Sequence, residues 1–147
     1  MRCSEIIAAV EAAITTCPVG GVAAAAGTTG ARDTWSVVEA GQLDLEAAPD
    51  RTCQVRLVTT PARSERNIPA DRYQVELEIL AYYQHTPDVH RRIGDDWEHL
   101  AQALEGIPLT EADLHQLSLR PLSVLVSERA VITGVTCVVE YRLTAGV

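Results

Sequence analysis

Two residue types are missing from this chain of 147 residues: lysine and phenylalanine. Without lysine no G-x-x-x-x-G-K-[ST] loop can be written, so the Gly- and Ala-rich stretch at residues 18–34 lacks a phosphate-loop fingerprint. All 12 cations are arginines, which with abundant alanine fits a GC-rich coding bias rather than a function. Aromatic residues make up 4% of the chain. A core short of large rings gains less from burial, so an oligomeric interface is expected to supply part of the stability.

Positive charge is also scarce. The net charge is −8, and residues 76–113 hold nine acids against Arg91 and Arg92. Duplex DNA is bound mainly through cations that release its counterions, and this chain has no basic stripe. It also lacks an Arg-and-aromatic platform for single strands. No appreciable DNA binding is therefore expected. The four cysteines, Cys3, Cys17, Cys53 and Cys137, include no C-x-x-C pair, which argues against a zinc ribbon or a thioredoxin-type site. They are expected to be reduced and structural. Long apolar runs are absent too. The longest, residues 18–27, is too short for a bilayer, and Glu5 and Glu11 interrupt any signal-peptide core. A soluble protein made in the cytoplasm is expected.

What is present is one domain's worth of ordinary globular sequence, 47% apolar and 22% charged, read as a single domain over residues 1–147. At this length roughly 70% of the unfolded surface is buried on folding, enough for a core without disulfide or metal. Ile6, Ile7, Val10 and Ile14 recur at helical spacing behind Ser4, a candidate N-cap, and Pro18 with Gly20 and Gly21 would end that helix. Residues 33–50 hold five carboxylates and read as a solvated acidic loop around a short strand near Trp35 to Val38.

The middle of the chain alternates with period two. Cys53, Val55, Leu57 and Thr59 make one run. After a polar loop at residues 61–71, Tyr73, Val75, Leu77, Ile79, Ala81 and Tyr83 make a longer one. One wet and one buried face favours an antiparallel or mixed sheet. Thr86, Pro87 and Asp88 then open a second helix, whose residues Val89, Ile93, Trp97, Leu100, Ala101 and Leu104 fall within an arc of about 120°. Thr110 and Asp113 have capping-box-like spacing and suggest a short helical turn. The apolar run 122–126 is expected to be buried, residues 127–130 to turn, and Val131 to Leu143 to alternate as a last strand, with Gly134 a candidate bulge. The fold class expected is α+β: a mixed, mostly antiparallel sheet packed on two amphipathic helices. Val75, Leu77, Ile79, Val135, Val139 and Tyr141 should face those helices, with Trp97 packed between helix and sheet.

Candidate chemistry is thin. His85, His90, Asp95 and His99 are the only metal-like group, yet His90 and His99 lie about 180° apart on a regular helix and H-E-x-x-H is absent. No G-x-S-x-G or family cysteine motif supplies a nucleophile. No catalytic residue, metal or cofactor is therefore assigned, and no enzymatic activity is expected. The more informative feature is the polar side of the sheet, where Glu76, Glu78 and Glu140 meet Arg56, Arg72 and Arg142. This face is either a salt-bridged solvated surface, or one that packs on another subunit or lines a lumen that lets DNA pass without sticking.

The order of elements resembles the tail terminator proteins of long-tailed bacteriophages, which cap the tail tube. The resemblance runs through SEIIAAVEAAI, TCQVRLVTT, PARSERNIPA, DRYQVELEILAYY, TPDVHRRIGDDWEHLAQAL and GVTCVVEYRL, covering roughly residues 4–16 and 52–144. Residues 18–50 match nothing in it. It implies a ring, expected to be a hexamer, that stops tube polymerisation and meets the head-completion proteins. It also implies a place in the virion at the head–tail junction, reached from the host cytoplasm. Partners would be other copies of the chain, the tail tube protein and a head-completion or adaptor protein, with DNA passing through and no membrane. A head–tail adaptor or stopper, and a small-ligand-binding or regulatory α+β domain, are the competing readings. Arg63, Glu65, Arg66 and Asn67, in the loop between the two central strands, are the candidate assembly contacts. Glu76, Glu78 and Glu140 are the candidate lumen- or subunit-facing group.

Overall fold

A computed structural model of the chain describes residues 2–17, 35–39, 48, 50–63, 72–107 and 114–142. The first helix is α1, Cys3–Thr16, with Ile6, Val10 and Ile14 buried and Ile7 half-buried, as the apolar stripe requires. Its N-cap is Arg2 rather than Ser4. The Glu5 carboxylate accepts the Arg2 backbone N–H at 2.8 Å, which is half of a capping box. The expected stop at Pro18, Gly20 and Gly21 lies outside the described residues.

Six strands among the described residues follow in one mixed sheet: β1 (Ser36–Val38), β2 (Thr52–Arg63), β3 (Arg72–Gln84), β4 (Leu114–Pro121), β5 (Leu125–Val126) and β6 (Ala130–Arg142). Their order is β1-β2-β3-β6-β4, with β5 beside β6 next to the end of β4. β1 runs parallel to β2 and every other pair is antiparallel. The second helix, α2 (Val89–Glu105), joins β3 to β4. The fold is thus α+β, with both described helices on one face of the sheet.

The apolar phase of each strand meets the helices. Val75, Leu77, Ile79, Val139 and Tyr141 are buried there with Cys53, Cys137, Val89, Leu100 and Leu104, while Val135 and Trp97 pack against them half-buried. Trp35, just before β1, is also buried. Its ring meets Tyr83 edge-on at 5.7 Å and Trp97 at 6.0 Å, so three of the chain's few aromatic rings are spent in one place.

Five expectations change. Residues 61–63 belong to β2, where Ala62 and Arg63 pair with Gln74 and Tyr73, so the central strands run further before they turn. α2 starts after Asp88, because Val89 N–H closes a turn onto Thr86 O and the helical ladder begins with Arg92 N–H to Asp88 O. Residues 114–121 are strand β4. Leu117 and Leu119 turn toward the core and Arg120 outward, a short alternation that the capping-like Thr110 and Asp113, themselves outside the described residues, obscure. Val124, Leu125 and Val126 are exposed rather than buried, since they lie on the sheet's rim beyond the helix layer. Finally, Gly134 is no bulge: the β3–β6 register runs unbroken from Arg72↔Arg142 to Gln84↔Ala130. Glycine is needed there because a Cβ would overlap the Ile79 carbonyl oxygen of the neighbouring strand.

Candidate functional site

The polar face of the sheet, opposite the helices, is laid out by the β3–β6 register. Gln74 stands opposite Glu140, Glu76 opposite Val138, and Glu78 opposite Thr136. Glu76, Glu78 and Glu140 therefore share one face, as expected. Their surroundings differ. Glu78 is half-buried and accepts Arg56 Nε at 2.6 Å from the paired position on β2. Glu76 is half-buried, and its backbone N–H donates to Thr59 Oγ1 at 3.1 Å. Glu140 is buried, 6% exposed, and its Oε1 has no hydrogen-bond partner among the described residues. The expectation of a wet Glu140 is thus corrected: β6 is an inner strand, flanked by β3 and β4, and its carboxylate is packed rather than solvated.

Arg63 is exposed at the end of β2, paired in register with Tyr73. It sits on a strand end rather than in a loop. Glu65, Arg66 and Asn67 lie outside the described residues. From Arg56 to Arg63 every β2 side chain is exposed. β1 pairs only with Thr52, Cys53 and Gln54, so among the described residues nothing pairs with the outer edge of this part of β2.

A second constellation was not legible in the sequence. Asp50 and Arg51, at the entry to β2, each reach across to α2. Arg51 clamps Asp96 with Nε–Oδ2 2.9 Å and Nη2–Oδ1 3.2 Å, while Arg92 Nη2 donates to Asp50 Oδ2. Tyr83 O–H donates to Asp96 Oδ2 at 2.9 Å, Gln84 N–H donates to Asp50 Oδ1 at 2.8 Å, and Arg92 Nη1 reaches Thr86 Oγ1 at 3.3 Å. The Arg92 guanidinium also lies 5.7 Å from the centre of the Tyr83 ring. All four charged residues are fully buried. Asp50 therefore leaves the solvated acidic loop expected for residues 33–50.

Arg51 holds this geometry at φ 56°, a left-handed conformation that costs a non-glycine residue on the order of 1 kcal/mol or more. Burial, then the Asp96 charge and hydrogen bond, push the Tyr83 hydroxyl far above its ordinary value. The only sequence signal was positional. On the α2 wheel Asp96 falls about 20° from Val89, at the edge of the buried arc. Nothing local marks Asp50 and Arg51, whose charged partners are more than forty residues away.

The remaining candidates are dispersed. His85 Nδ1 contacts Ser127 O and His99 Nδ1 contacts Asp95 O, both at 2.8 Å on the surface, and His90 is exposed. Among the described residues no group of three or more His, Cys, Asp or Glu is placed to hold a metal ion. All four cysteines are free thiols, and burial pushes those of Cys53 and Cys137 up to about 12. An open groove of about 430 Å³ lies between α1 and the end of α2, lined by Ala9, Ala12, Ala13, Thr16, Ala103 and neighbours. Its one side-chain hydroxyl, on Thr16, is already donated to Ala12 O. No described helix is long and apolar enough to cross a membrane. Comparison with family models and with characterised proteins finds no match for this chain.

Proposed function

We propose that the chain is a structural ring subunit that caps a phage tail tube, acting as a tail terminator. One observation carries the reading: the exposed outer half of β2, Arg56–Arg63, has no strand on its outer edge among the described residues. Such an element gives little to the isolated fold and suits contact with a neighbour. The order of elements, the mixed sheet on two helices and the carboxylates Glu76 and Glu78 on the far face agree with a ring whose lumen repels DNA. In this reading one heterologous interface repeats until the ring, a hexamer, closes. The ring sits on the last tube ring, halts its growth, and offers its other side to the head-completion or adaptor protein. Its place is the head–tail junction of the virion, after assembly in the host cytoplasm.

The ligand-binding alternative finds less support, because among the described residues the α1–α2 groove shows no set of convergent polar groups to orient a small molecule. The test is polymerisation of the tube protein encoded by the same genome, followed by electron microscopy. Tubes of defined length with a terminal ring are expected when the chain is added. Unaltered growth would refute the reading. Deleting residues 64–67 is expected to leave the chain folded and to abolish capping. Duplex DNA titrated at low salt is expected to show no binding tighter than the millimolar range. Micromolar binding that weakens steeply with salt moves the reading toward a DNA-contacting adaptor.

A further inference from the structure

Two uncharged apolar strand segments lie exposed at opposite edges of the one sheet. On the β2 edge Leu57 and Val58 are 45% and 47% exposed, and on the β5 edge Leu125 and Val126 are 65% and 54% exposed. Neither segment has a described strand on its outer side. Bare apolar edges are a liability that folded chains ordinarily blunt with charge or cover. Here Pro61 and two register shifts interrupt β2 only beyond Leu57.

We infer that these edges pair with each other between copies: the Leu57–Val58 edge of one copy takes the Val124–Val126 edge of the next, antiparallel. This deepens the ring reading above and rests on it. Three features argue for a second copy as occupant. First, direction. β2, β3, β6 and β5 alternate, so β5 runs opposite to β2. Copies standing side by side in one orientation therefore present an antiparallel pair, the slightly more stable kind.

Second, facing. Leu57 is in register with buried Leu77 and Val126 with buried Val131, so both belong to the helix-facing side. Placing Leu57 opposite Val126 keeps the helix layers of both copies on one side. Third, offset. Leu57 is level with Cys137 through Leu77, and Val126 is level with Val131, so the edges are staggered by six residues along β6. That is about 20 Å of strand, against about 19 Å for the four strands β2, β3, β6 and β5. The ratio corresponds to a strand tilt of about 45°, at the upper end of the tilt at which sheets close on themselves. The contact is heterologous, and its repetition closes instead of stopping at a dimer.

The test joins the edges covalently. In a Cys3→Ser background, which removes the half-buried native thiol, L57C and V126C are combined and mildly oxidised at the highest soluble concentration and in the presence of the tube protein. The two positions are too far apart for a bond within one chain. A reducible ladder of covalent multimers is expected, and none from the control pair L57C with E98C. Independently, L57E alone and V126R alone are expected to shift the native mass to that of a single chain, and the two together to restore the multimer.

Multimers that form and cap tubes without the ladder or the charge-swap rescue overturn the edge pairing and leave the terminator reading standing. A ladder with rescue in a chain that fails to cap tubes does the reverse. A wild-type chain that stays monomeric both alone and with the tube protein overturns the pairing.

Discussion

β2 changes character at Val55. Up to it, Thr52, Cys53, Gln54 and Val55 are all buried, β1 pairs along the outer edge of the first three, and the Asp50–Arg51 entry is tied to α2. After it, every side chain to Arg63 is exposed and β3 is the one described partner. The same strand is thus part of the core at one end and a rim at the other. Local stability follows burial and pairing, so the inner half should open only with the whole fold and the outer half far more easily. Substitutions that destroy folding and substitutions that destroy assembly should therefore separate along this one strand.

The widest effect expected is alkaline. Cys53 and Cys137 are held protonated by burial, up to about 12 against an ordinary 9.0. Above pH 9 the unfolded chain loses those protons first, so their contribution is intact below pH 9 and is lost as pH rises toward 12. Each thiol costs on the order of 1.4 kcal/mol per pH unit in that window. Urea unfolding at stepped pH checks the slope, and Cys53→Ala should flatten it while Cys3→Ala barely does. A slope unchanged by Cys53→Ala would break the picture of a dry inner half.

Next in size, Asp96→Ala should cost about 3–5 kcal/mol, because it removes the buried carboxylate that pairs with the Arg51 guanidinium and accepts the Tyr83 hydroxyl. The same unfolding experiment reads it as a lower midpoint at constant slope. Gly134→Ala comes after that, at about 1–3 kcal/mol, since its methyl group must push the Ile79 carbonyl of β3 aside. Smallest is Leu57→Ser on the outer half, within about 0.5 kcal/mol of wild type in the monomer. Its effect belongs in the native mass. A large loss of monomer stability from Leu57→Ser would show that the two halves of β2 are not distinct.

Much of the fold was legible because burial writes its period into the chain. The stripe Ile6, Val10, Ile14 and the alternation from Tyr73 to Tyr83 each follow from one layer of helices covering one face of a sheet. The signal failed where that layer ends. Val124 to Val126 is apolar without being covered, and β4 alternates too briefly for its period to stand out. Of the candidate site, the shared face of Glu76, Glu78 and Glu140 was readable from strand phase alone, yet the burial of Glu140 depends on which strands flank β6. Asp50, Arg51, Arg92 and Asp96 were unreadable as a group, since adjacent opposite charges ordinarily mark solvent. What makes them interior is a contact between segments far apart in the chain.

That contact also has a polarity. Along the chain an acid precedes a base at 50 and 51, while on the helix a base precedes an acid at 92 and 96, one turn apart. If the helix slid by one turn in one direction, Asp50 would meet Asp88 and Arg51 would meet Arg92. A slide in the other direction sets Asp50 against Asp96 and leaves Arg51 facing Leu100. Apolar side chains of similar volume tolerate such slips, whereas like charges in a dry interior do not. The four charges therefore act as a key: they reject the neighbouring alignments of helix on strand, and so determine where β2 begins and how far its free end can extend.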